Sequence, residues 1–339
     1  MQTTNDTAPL FKTRRAAVLN AAPPAVVTFE KDFETNSAAF AGLAKANPGT
    51  AFLLQIGFEH ETPGPAAHLA GVVKRFLSEV PDARIVVLCN SEKECEALSP
   101  HGVETRFASH NAFLDERRYS PLPGGRGFDA AYIARLTPFK RHGLIPEDMA
   151  EKMLFLGCSV REAEREYANG IRKRYAKALW VPRFGGLEIS RYLSMANCGL
   201  ALSASEGACF GSSEYLLCGL PVVDTPALGG RSRMYPGDFV KYADPTQESV
   251  GEAIEYWRDN VPDPRAVREA WLAKARPMRE TYRELMKELC GRDCGGKFPH
   301  KLGIRTPHPG AAFSIAAAAW LAVKRIFPRQ NRYQKWKTT

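Results

Sequence analysis

Apolar runs of strand length alternate with helical patterns along nearly the whole chain, and this alternation constrains the fold more than any other feature. The pattern is typical of βα units, in which helices cover a sheet of parallel strands. We predict the first strands near residues 25–29, 51–57, 85–90 and 104–110, with a helix over about 65–80.

A stretch at residues 119–128, rich in proline and glycine, interrupts the alternation and predicts a linker. In the second series we predict strands near 130–133, 153–157, 178–181, 199–203 and 220–225. Its helices are expected after Gly186, with Ile189, Leu193 and Met195, and over 247–259 and 264–289. Because a domain takes roughly 150 residues, the 339 residues predict two α/β domains, over 1–120 and 121–290, and a tail over 291–339.

The net charge of +9 comes from the tail. Residues 294–339 hold nine of the 46 Lys and Arg residues and no acid, and the remaining basic residues match the 37 acids in number. A neutral body without a basic stripe predicts no nucleic-acid binding. The first 25 residues lack the apolar core of a signal peptide, and no paired CxxC occurs. We therefore expect a cytoplasmic protein without a metal site.

Two glutamates lie between the last two predicted strands. Glu206 is expected in the loop at the carboxyl end of one strand and Glu214 in the helix that follows, at the edge where open α/β sheets bind ligands. Gly207 and Gly211 permit close approach of the backbone to a ligand, and Ser212 is expected to cap the helix so that its N-terminus faces an anion. The carboxylates suit the hydroxyl groups of a sugar or ribose.

A basic loop, ARLTPFKRHG, follows the predicted strand at 130–133. Arg135 and Lys140 are five residues apart in it, and Pro138 keeps the segment out of a helix. A guanidinium and an ammonium group at a strand end suit a diphosphate, the first through its planar fork and the second as a point charge.

Taken in this order, the two elements resemble the retaining nucleotide-sugar glycosyltransferases of family 4, which have the GT-B fold. The likeness covers residues 128–257, through the R-x4-K and E-x7-E elements, the CGLPVV strand and the turn of Gly229 and Gly230. Weaker likeness in CNSEKECEAL and SHNAFLDERRY places the family's Asn-containing turn at Asn111 and Asp115. The resemblance implies two Rossmann-like domains that face each other across a cleft, with a smaller N-terminal domain than usual.

Carried over to this chain, the resemblance implies that Arg135 and Lys140 bind the donor diphosphate and that Glu206 contacts the transferred sugar. Glu214 is expected to bind the ribose, and backbone N–H groups are expected to assist at Gly207, Gly229 and Gly230. The family transfers a hexosyl unit with retention of configuration and without a metal or other cofactor. The nucleotide sugar is the donor substrate, and positive groups stabilise charge on the leaving phosphate.

The sequence departs from the family pattern in three places. The usual EGFG is EGAC here, with Phe210 and Gly211 displaced along the loop. The N-terminal half is short, and it has no glycine-rich first loop near residues 26–29, although Gly57 and Gly64 offer an equivalent.

On the acceptor side, Glu59, His60 and Glu61 directly follow a predicted strand, and His110 and Asn111 end another. They suit contact with an acceptor or proton acceptance. The alternative is that the first group forms a polar turn that caps the next helix.

The tail predicts a membrane contact. If residues 311–327 are helical, one face carries Phe313, Ala317, Trp320, Val323 and Phe327, with Lys324 and Arg325 beside them. Such a helix suits an anionic membrane surface, although packing on the N-terminal domain is the alternative. The expected partners are therefore a nucleotide sugar, a glycan or lipid-linked acceptor and the inner membrane face, where the protein is peripheral and takes part in polysaccharide biosynthesis.

Two other functions stay open. A nucleotide-sugar epimerase shares the architecture, but it needs acid and base carboxylates that the sequence does not place. A non-catalytic sugar-binding or scaffolding protein on a degenerate transferase fold is the second alternative.

Overall fold

The computed structural model describes residues 16–21, 23–182, 188–291, 298–299 and 333–334. These residues form two compact units. One contains the described residues up to Phe113 and from Met278 onward, and the other contains Leu114–Pro277.

The first unit has a five-stranded sheet whose strands lie in chain order. Its strands are β1 (Ala16–Ala21), β2 (Pro24–Phe29), β3 (Ala51–Gln55), β4 (Arg84–Cys89) and β5 (Glu104–Phe107). β1 pairs antiparallel with β2, and the other pairs are parallel. The helices that follow these strands are α1 (Glu30–Thr35), α2 (Ser37–Ala46), α3 (Pro63–Glu79) and α4 (Glu92–Leu98).

An aromatic cluster forms the centre of this unit. The rings of Phe33, Phe40, Phe52 and Phe76 pack at centroid distances of 4.7 to 5.5 Å. Burying side chains of this size stabilises a fold by roughly 1.5 to 3 kcal/mol each. The cluster holds α1, α2 and α3 on the sheet, and leaves the carboxyl ends of the strands to polar residues.

The second unit has a six-stranded, fully parallel sheet in the order β11-β10-β9-β6-β7-β8. The strands are β6 (Phe128–Ile133), β7 (Met153–Leu156), β8 (Leu179–Val181), β9 (Ala196–Ala201), β10 (Val222–Asp224) and β11 (Val240–Tyr242). The helices are α5 (Arg165–Arg174), α6 (Glu188–Leu193), α7 (Phe210–Leu217), α8 (Gln247–Asp259) and α9 (Pro264–Cys290). β6 and β9 are neighbours at the middle of the sheet, so the loops that follow them lie side by side.

Gly199 in β9 allows α7 to pack closely against the sheet. A Cβ atom at Gly199 would lie 2.2 Å from the ring of Tyr215, so only glycine permits this approach. The hydroxyl group of Tyr215 in turn accepts a hydrogen bond from the backbone N–H of Ile133, at 2.6 Å. The helix is therefore fixed to both central strands next to Glu214.

Helix α9 contributes to both units. Pro277 lies inside the helix and removes one backbone hydrogen bond, and Met278 is the first residue that packs with the first unit. Beyond it, the ring of Tyr282 meets that of Phe113 at 5.1 Å, and Arg279 donates to the carbonyl oxygen of Ala112 at 2.7 Å.

The predicted α/β fold with parallel sheets is confirmed, and every predicted strand exists. Four strands of the described residues were not predicted. β1 and β11 each lie at one edge of their sheet. The other two, β12 (Phe298–Pro299) and β13 (Tyr333–Gln334), have two residues each and pair antiparallel with each other. β9 begins at Ala196, three residues before the predicted start, and α6 ends before Met195. The predicted tail helix lies outside the described residues, as does most of the tail. Among the helices of the described residues, none is long and apolar enough for a membrane crossing.

Candidate functional site

The loops after β6 and β9 meet through an ion pair between Lys140 and Glu206, which joins Nζ to Oε1. Both residues were predicted to lie at strand ends, and the structure brings them into direct contact. The side chains are 12% and 15% exposed, so the pair is largely withdrawn from water. A pair in this setting is strongly coupled, because loss of one partner leaves a buried charge.

The surroundings of Lys140 disfavour its charge unless an anion is close. Burial, and the neighbouring cations Arg231 and Arg135, lower the pKa of Lys140. The carboxylate of Glu206 is the anion that the structure supplies, and it also accepts a hydrogen bond from the Ser203 hydroxyl at 2.8 Å. An anionic ligand at this position would stabilise the charge of Lys140 in the same way as the carboxylate.

Arg135 lies at the other side of the same loop. Its guanidinium carbon is 5.7 Å from the centre of the Phe139 ring, and Nζ of Lys140 is 5.3 Å from it. The aromatic ring therefore lies near both cations. Two cations at one strand end, Lys140 largely buried and Arg135 partly buried, form a local field that favours a phosphate group.

Two further arginines, which sequence reasoning missed, form the framework of this strand edge. Arg141 has a left-handed backbone, with φ of 51°, and its guanidinium donates to the carbonyl oxygens of Leu202, Ser203 and Pro226. Arg231 is 1% exposed and donates to the carbonyl oxygens of Ser203 and Thr225. They join the ends of β9 and β10 and thereby fix the loop that carries Glu206.

Arg231 is balanced by a buried acid at the end of β10. Its Nη2 lies 2.9 Å from Oδ1 of Asp224, which also accepts from the Tyr235 hydroxyl at 3.1 Å. Burial raises the pKa of Asp224 to about 6 in spite of these partners. In the sequence, Arg231 is marked only by its place directly after the turn of Gly229 and Gly230.

The loop of Glu206 is also tied to the turn that contains Gly229 and Gly230. The backbone N–H of Glu206 donates to the carbonyl oxygen of Leu228 at 2.9 Å, and Leu228 donates back to Ala204 at 3.0 Å. Gly229 has φ of 99°, a conformation that side chains rarely permit. Gly207 is buried beside Glu206, so the predicted backbone elements are close together in the structure.

Glu214 lies on α7, as predicted, and is 6% exposed. Its Oε1 accepts a hydrogen bond from the hydroxyl of Tyr119 at 2.8 Å. The prediction for Ser212 was wrong: α7 begins at Phe210 after Cys209, and the Ser212 hydroxyl donates back to the carbonyl oxygen of Cys209 at 2.9 Å. Because the EGAC loop takes Cys209 into a left-handed conformation, with φ of 48°, the helix starts earlier than the sequence suggested.

In the first unit, Glu59 has the contacts of a turn residue. Its carboxylate accepts from the backbone N–H groups of Glu61 and Thr62, at 3.1 and 3.3 Å, and from the Thr62 hydroxyl at 2.9 Å. Those contacts support the start of α3. They match the alternative in which this segment caps a helix.

His60 is buried beside Glu94, a carboxyl group that sequence reasoning missed. Burial lowers the pKa of His60 and raises that of Glu94 to about 8. Glu94 accepts from the backbone N–H groups of His60 and Asn90, at 3.2 and 2.7 Å. It therefore joins the loop after β3 to the loop after β4.

His110 and Asn111 start a turn after β5 and are 4% and 0% exposed. The His110 backbone donates to Oδ1 of Asn90 at 3.1 Å, and its ring packs edge-on against Phe29 at 5.1 Å. All the acceptor-side candidates thus lie at the carboxyl edge of the first sheet. In the described part of the chain, no three His, Cys, Asp or Glu side chains come together as a metal site requires.

Comparison with known proteins adds the fold family. The sequence matches no family model and no curated protein sequence. Its structure is similar to that of Anabaena HepE in complex with UDP and glucose, with 14% identity, coverage of 77% of this chain and 76% of that chain, and a TM-score of 0.57. Sucrose-phosphate synthase from Thermosynechococcus elongatus has 18% identity, coverage of 77% and 73%, and a TM-score of 0.56.

A third similar structure is that of a TarM variant from S. aureus in complex with fondaparinux, α-GlcNAc-glycerol and UDP. It has 14% identity, coverage of 75% of this chain and 54% of that chain, and a TM-score of 0.54. These neighbours are glycosyltransferases of the GT-B fold. At such identities the likeness shows that the chain shares this fold.

Proposed function

We propose that the protein is a glycosyltransferase that moves a hexosyl unit from a nucleotide sugar to a glycan or lipid-linked acceptor. The observation that carries the proposal is the buried pair of Lys140 and Glu206, with Arg135 beside it, at the carboxyl ends of the two central strands. Its neighbours in structure include complexes with UDP, which supports the same ligand class here.

In the proposed reaction, Arg135 and Lys140 bind the donor diphosphate. The bond from the anomeric carbon to the phosphate oxygen breaks, and its electron pair leaves with the nucleoside diphosphate. An acceptor hydroxyl forms the new bond to the same carbon, and its proton passes to the leaving diphosphate, whose negative charge these cations stabilise. Because burial disfavours the charge of Lys140, an incoming diphosphate replaces Glu206 as its counter-ion. Glu206 is then available to accept hydrogen bonds from the hydroxyl groups of the transferred sugar.

The remaining roles are those that the family resemblance implies. Glu214 binds the ribose, and the backbone at Gly207, Gly229 and Gly230 lies close enough to the Glu206 loop to contact the donor. We assign the acceptor to the carboxyl edge of the first sheet, with His60, His110 and Asn111 as contact residues, and Glu59 as support for their loop. Retention of configuration and independence of metal are part of the proposal.

The test is turnover of labelled UDP-glucose, UDP-N-acetylglucosamine and GDP-mannose by the Glu206→Ala variant. We expect loss of transfer and of donor hydrolysis by at least about two decades, with retained binding of the nucleoside diphosphate, because Glu206 is assigned to the sugar. Glu162→Ala is the control, since it removes an ion pair to Arg165 in the same unit whose side chains are 79% and 68% exposed. Such exposed pairs contribute little.

Three outcomes would contradict the proposal. Wild-type protein that binds sugar nucleotides but never turns them over favours the scaffolding alternative. Loss of activity in EDTA with recovery in Mg²⁺ or Mn²⁺ contradicts metal independence. A product of inverted anomeric configuration, read by NMR, contradicts retention.

A further inference from the structure

The carboxylate of Glu214 is held by a tyrosine from outside the R-x4-K and E-x7-E elements. The hydroxyl of Tyr119 donates to Oε1 of Glu214 at 2.8 Å. Tyr119 is 3% exposed and Glu214 6%, so this hydrogen bond to a charged group is shielded from water. Such bonds are stronger than those between neutral partners.

The backbone around Tyr119 is fixed independently of that hydroxyl. Arg268 on α9 donates to the carbonyl oxygen of Tyr119, and also to those of Glu116 and Leu217, both at 2.7 Å. The next residue, Ser120, donates its backbone N–H to the hydroxyl of Ser190 at 3.2 Å. The segment that carries Tyr119 is therefore tied both to the end of α7 and to α6.

This arrangement gives the tyrosine a defined role. Burial and the negative charge of Glu214 both raise the pKa of Tyr119, so that its hydroxyl remains a proton donor at any physiological pH. A carboxylate has two oxygens and about four acceptor positions. A donor fixed at Oε1 therefore restricts the rotation of the group and sets the direction of its remaining lone pairs.

We propose that Tyr119 is a positioning residue that orients Glu214 for the ribose hydroxyls and so sets the selectivity for ribonucleotides over deoxyribonucleotides. The inference rests on the proposed function, because it takes Glu214 as the ribose contact. It extends that function to a residue between β5 and β6, in the segment that the sequence predicts to be a linker.

The experiment compares the binding of UDP and GDP with that of their 2′-deoxy and 3′-deoxy forms by calorimetry, in wild-type protein and in Tyr119→Phe. The variant removes one oxygen and keeps the ring. We expect the preference for the ribonucleotide to fall by about tenfold, as loss of a hydrogen bond to a charged group implies, while affinity for one or both deoxy forms is retained.

Ser213→Ala is the matched control. Ser213 precedes Glu214 on α7 and accepts a hydrogen bond from Nε1 of the fully buried Trp271 at 3.1 Å. This variant loosens the same helix without contact to the carboxylate, and it should keep the ribonucleotide preference. Thermal unfolding of both variants shows that they are folded.

The outcomes separate the inference from the proposed function. An unchanged or greater preference in Tyr119→Phe overturns the inference, since the hydroxyl then either does not orient Glu214 or competes with the ribose. The same conclusion follows if Ser213→Ala lowers the preference equally. If Glu214→Gln leaves nucleotide binding and preference intact, Glu214 is not the ribose contact, and the site assignment in the proposed function fails as well.

Discussion

At the scale of residues, the second unit buries several groups whose charged forms are costly, and two of them are cations that a carboxylate neutralises. Lys140 has Glu206, and Arg231 has Asp224. His142 is different: it is fully buried among the rings of Tyr132, Phe155 and Tyr167, and its Nδ1 lies 3.1 Å from the Tyr167 hydroxyl. Burial lowers the pKa of His142 to about 3.

We therefore expect acid to destabilise this unit through His142. Its pKa is about 3 in the folded chain and about 6.5 when unfolded, so the unfolded state binds the proton first as pH falls. Stability is fully present above pH 6.5 and is lost progressively towards pH 3. At pH 5 the loss is about 2 kcal/mol relative to pH 7.

The measurement is urea unfolding of wild-type protein and His142→Gln at pH 7 and pH 5. Glutamine does not titrate in this range, so only the wild-type protein should lose the stability that depends on His142. Between pH 7 and pH 5, the free energy of unfolding of the variant should therefore rise by about 2 kcal/mol relative to that of the wild type. A difference that is the same at both pH values would show that His142 does not carry the effect.

Sequence reasoning reached the site only in part, and the residues show why. The spacing of Arg135, Lys140, Glu206 and Glu214 places each at a strand end or on the next helix, which the structure confirms. It does not reveal that Lys140 meets Glu206. Tyr119 lies in the expected linker, and its position is fixed by residues far along the chain, among them Arg268, 149 residues later. Contacts at that separation have no local signal in composition or periodicity.

At the scale of elements, the contact of β9 with α7 positions the helix that carries Glu214. The fold of each sheet was predictable from the apolar runs, because strands buried on both faces read as continuous apolar segments. The closeness of α7 to β9 depends on a single glycine, and a glycine within a strand pattern predicts only that something approaches it.

Gly199→Ala tests this contact. The new methyl group would overlap the Tyr215 ring, and we expect a loss of about 2 kcal/mol or more in the free energy of unfolding, together with weaker nucleotide binding. The control is Gly170→Ala on α5, where nothing lies within 4 Å of the added carbon. There the same change should stabilise by about 0.5 to 1 kcal/mol. Equal effects at the two positions in urea unfolding would contradict the packing argument.

At the scale of the whole molecule, charge is divided unevenly along the chain, and the cations after residue 323 have no acid near them in sequence. We propose that these residues bind an anionic membrane surface, where a lipid-linked acceptor would also be found. Each basic residue near such a surface contributes about 1 kcal/mol at most, so several acting together give binding that salt reverses.

Vesicle sedimentation tests the proposal. We expect the protein to sediment with vesicles that contain phosphatidylglycerol and not with vesicles of pure phosphatidylcholine. Salt at about 0.5 M should release the protein, because a concentration of this order screens surface charges. A variant with the six Lys and Arg residues of 324–339 changed to Gln keeps the chain length and should stay in solution. Equal sedimentation with both vesicle types would refute a charge-driven contact, and so would undiminished sedimentation of the variant with the anionic vesicles.

The division of α9 at Pro277 determines the order in which the chain can fold as it leaves the ribosome. Residues of the second unit are contiguous, so all of them are available once Pro277 has been synthesised. The first unit must wait for Tyr282 to reach Phe113 and for Glu288 to reach Arg84. The strands of its sheet are therefore synthesised first, but the unit is completed last. We expect the protein to be most open to aggregation or to a chaperone in the interval between these two events.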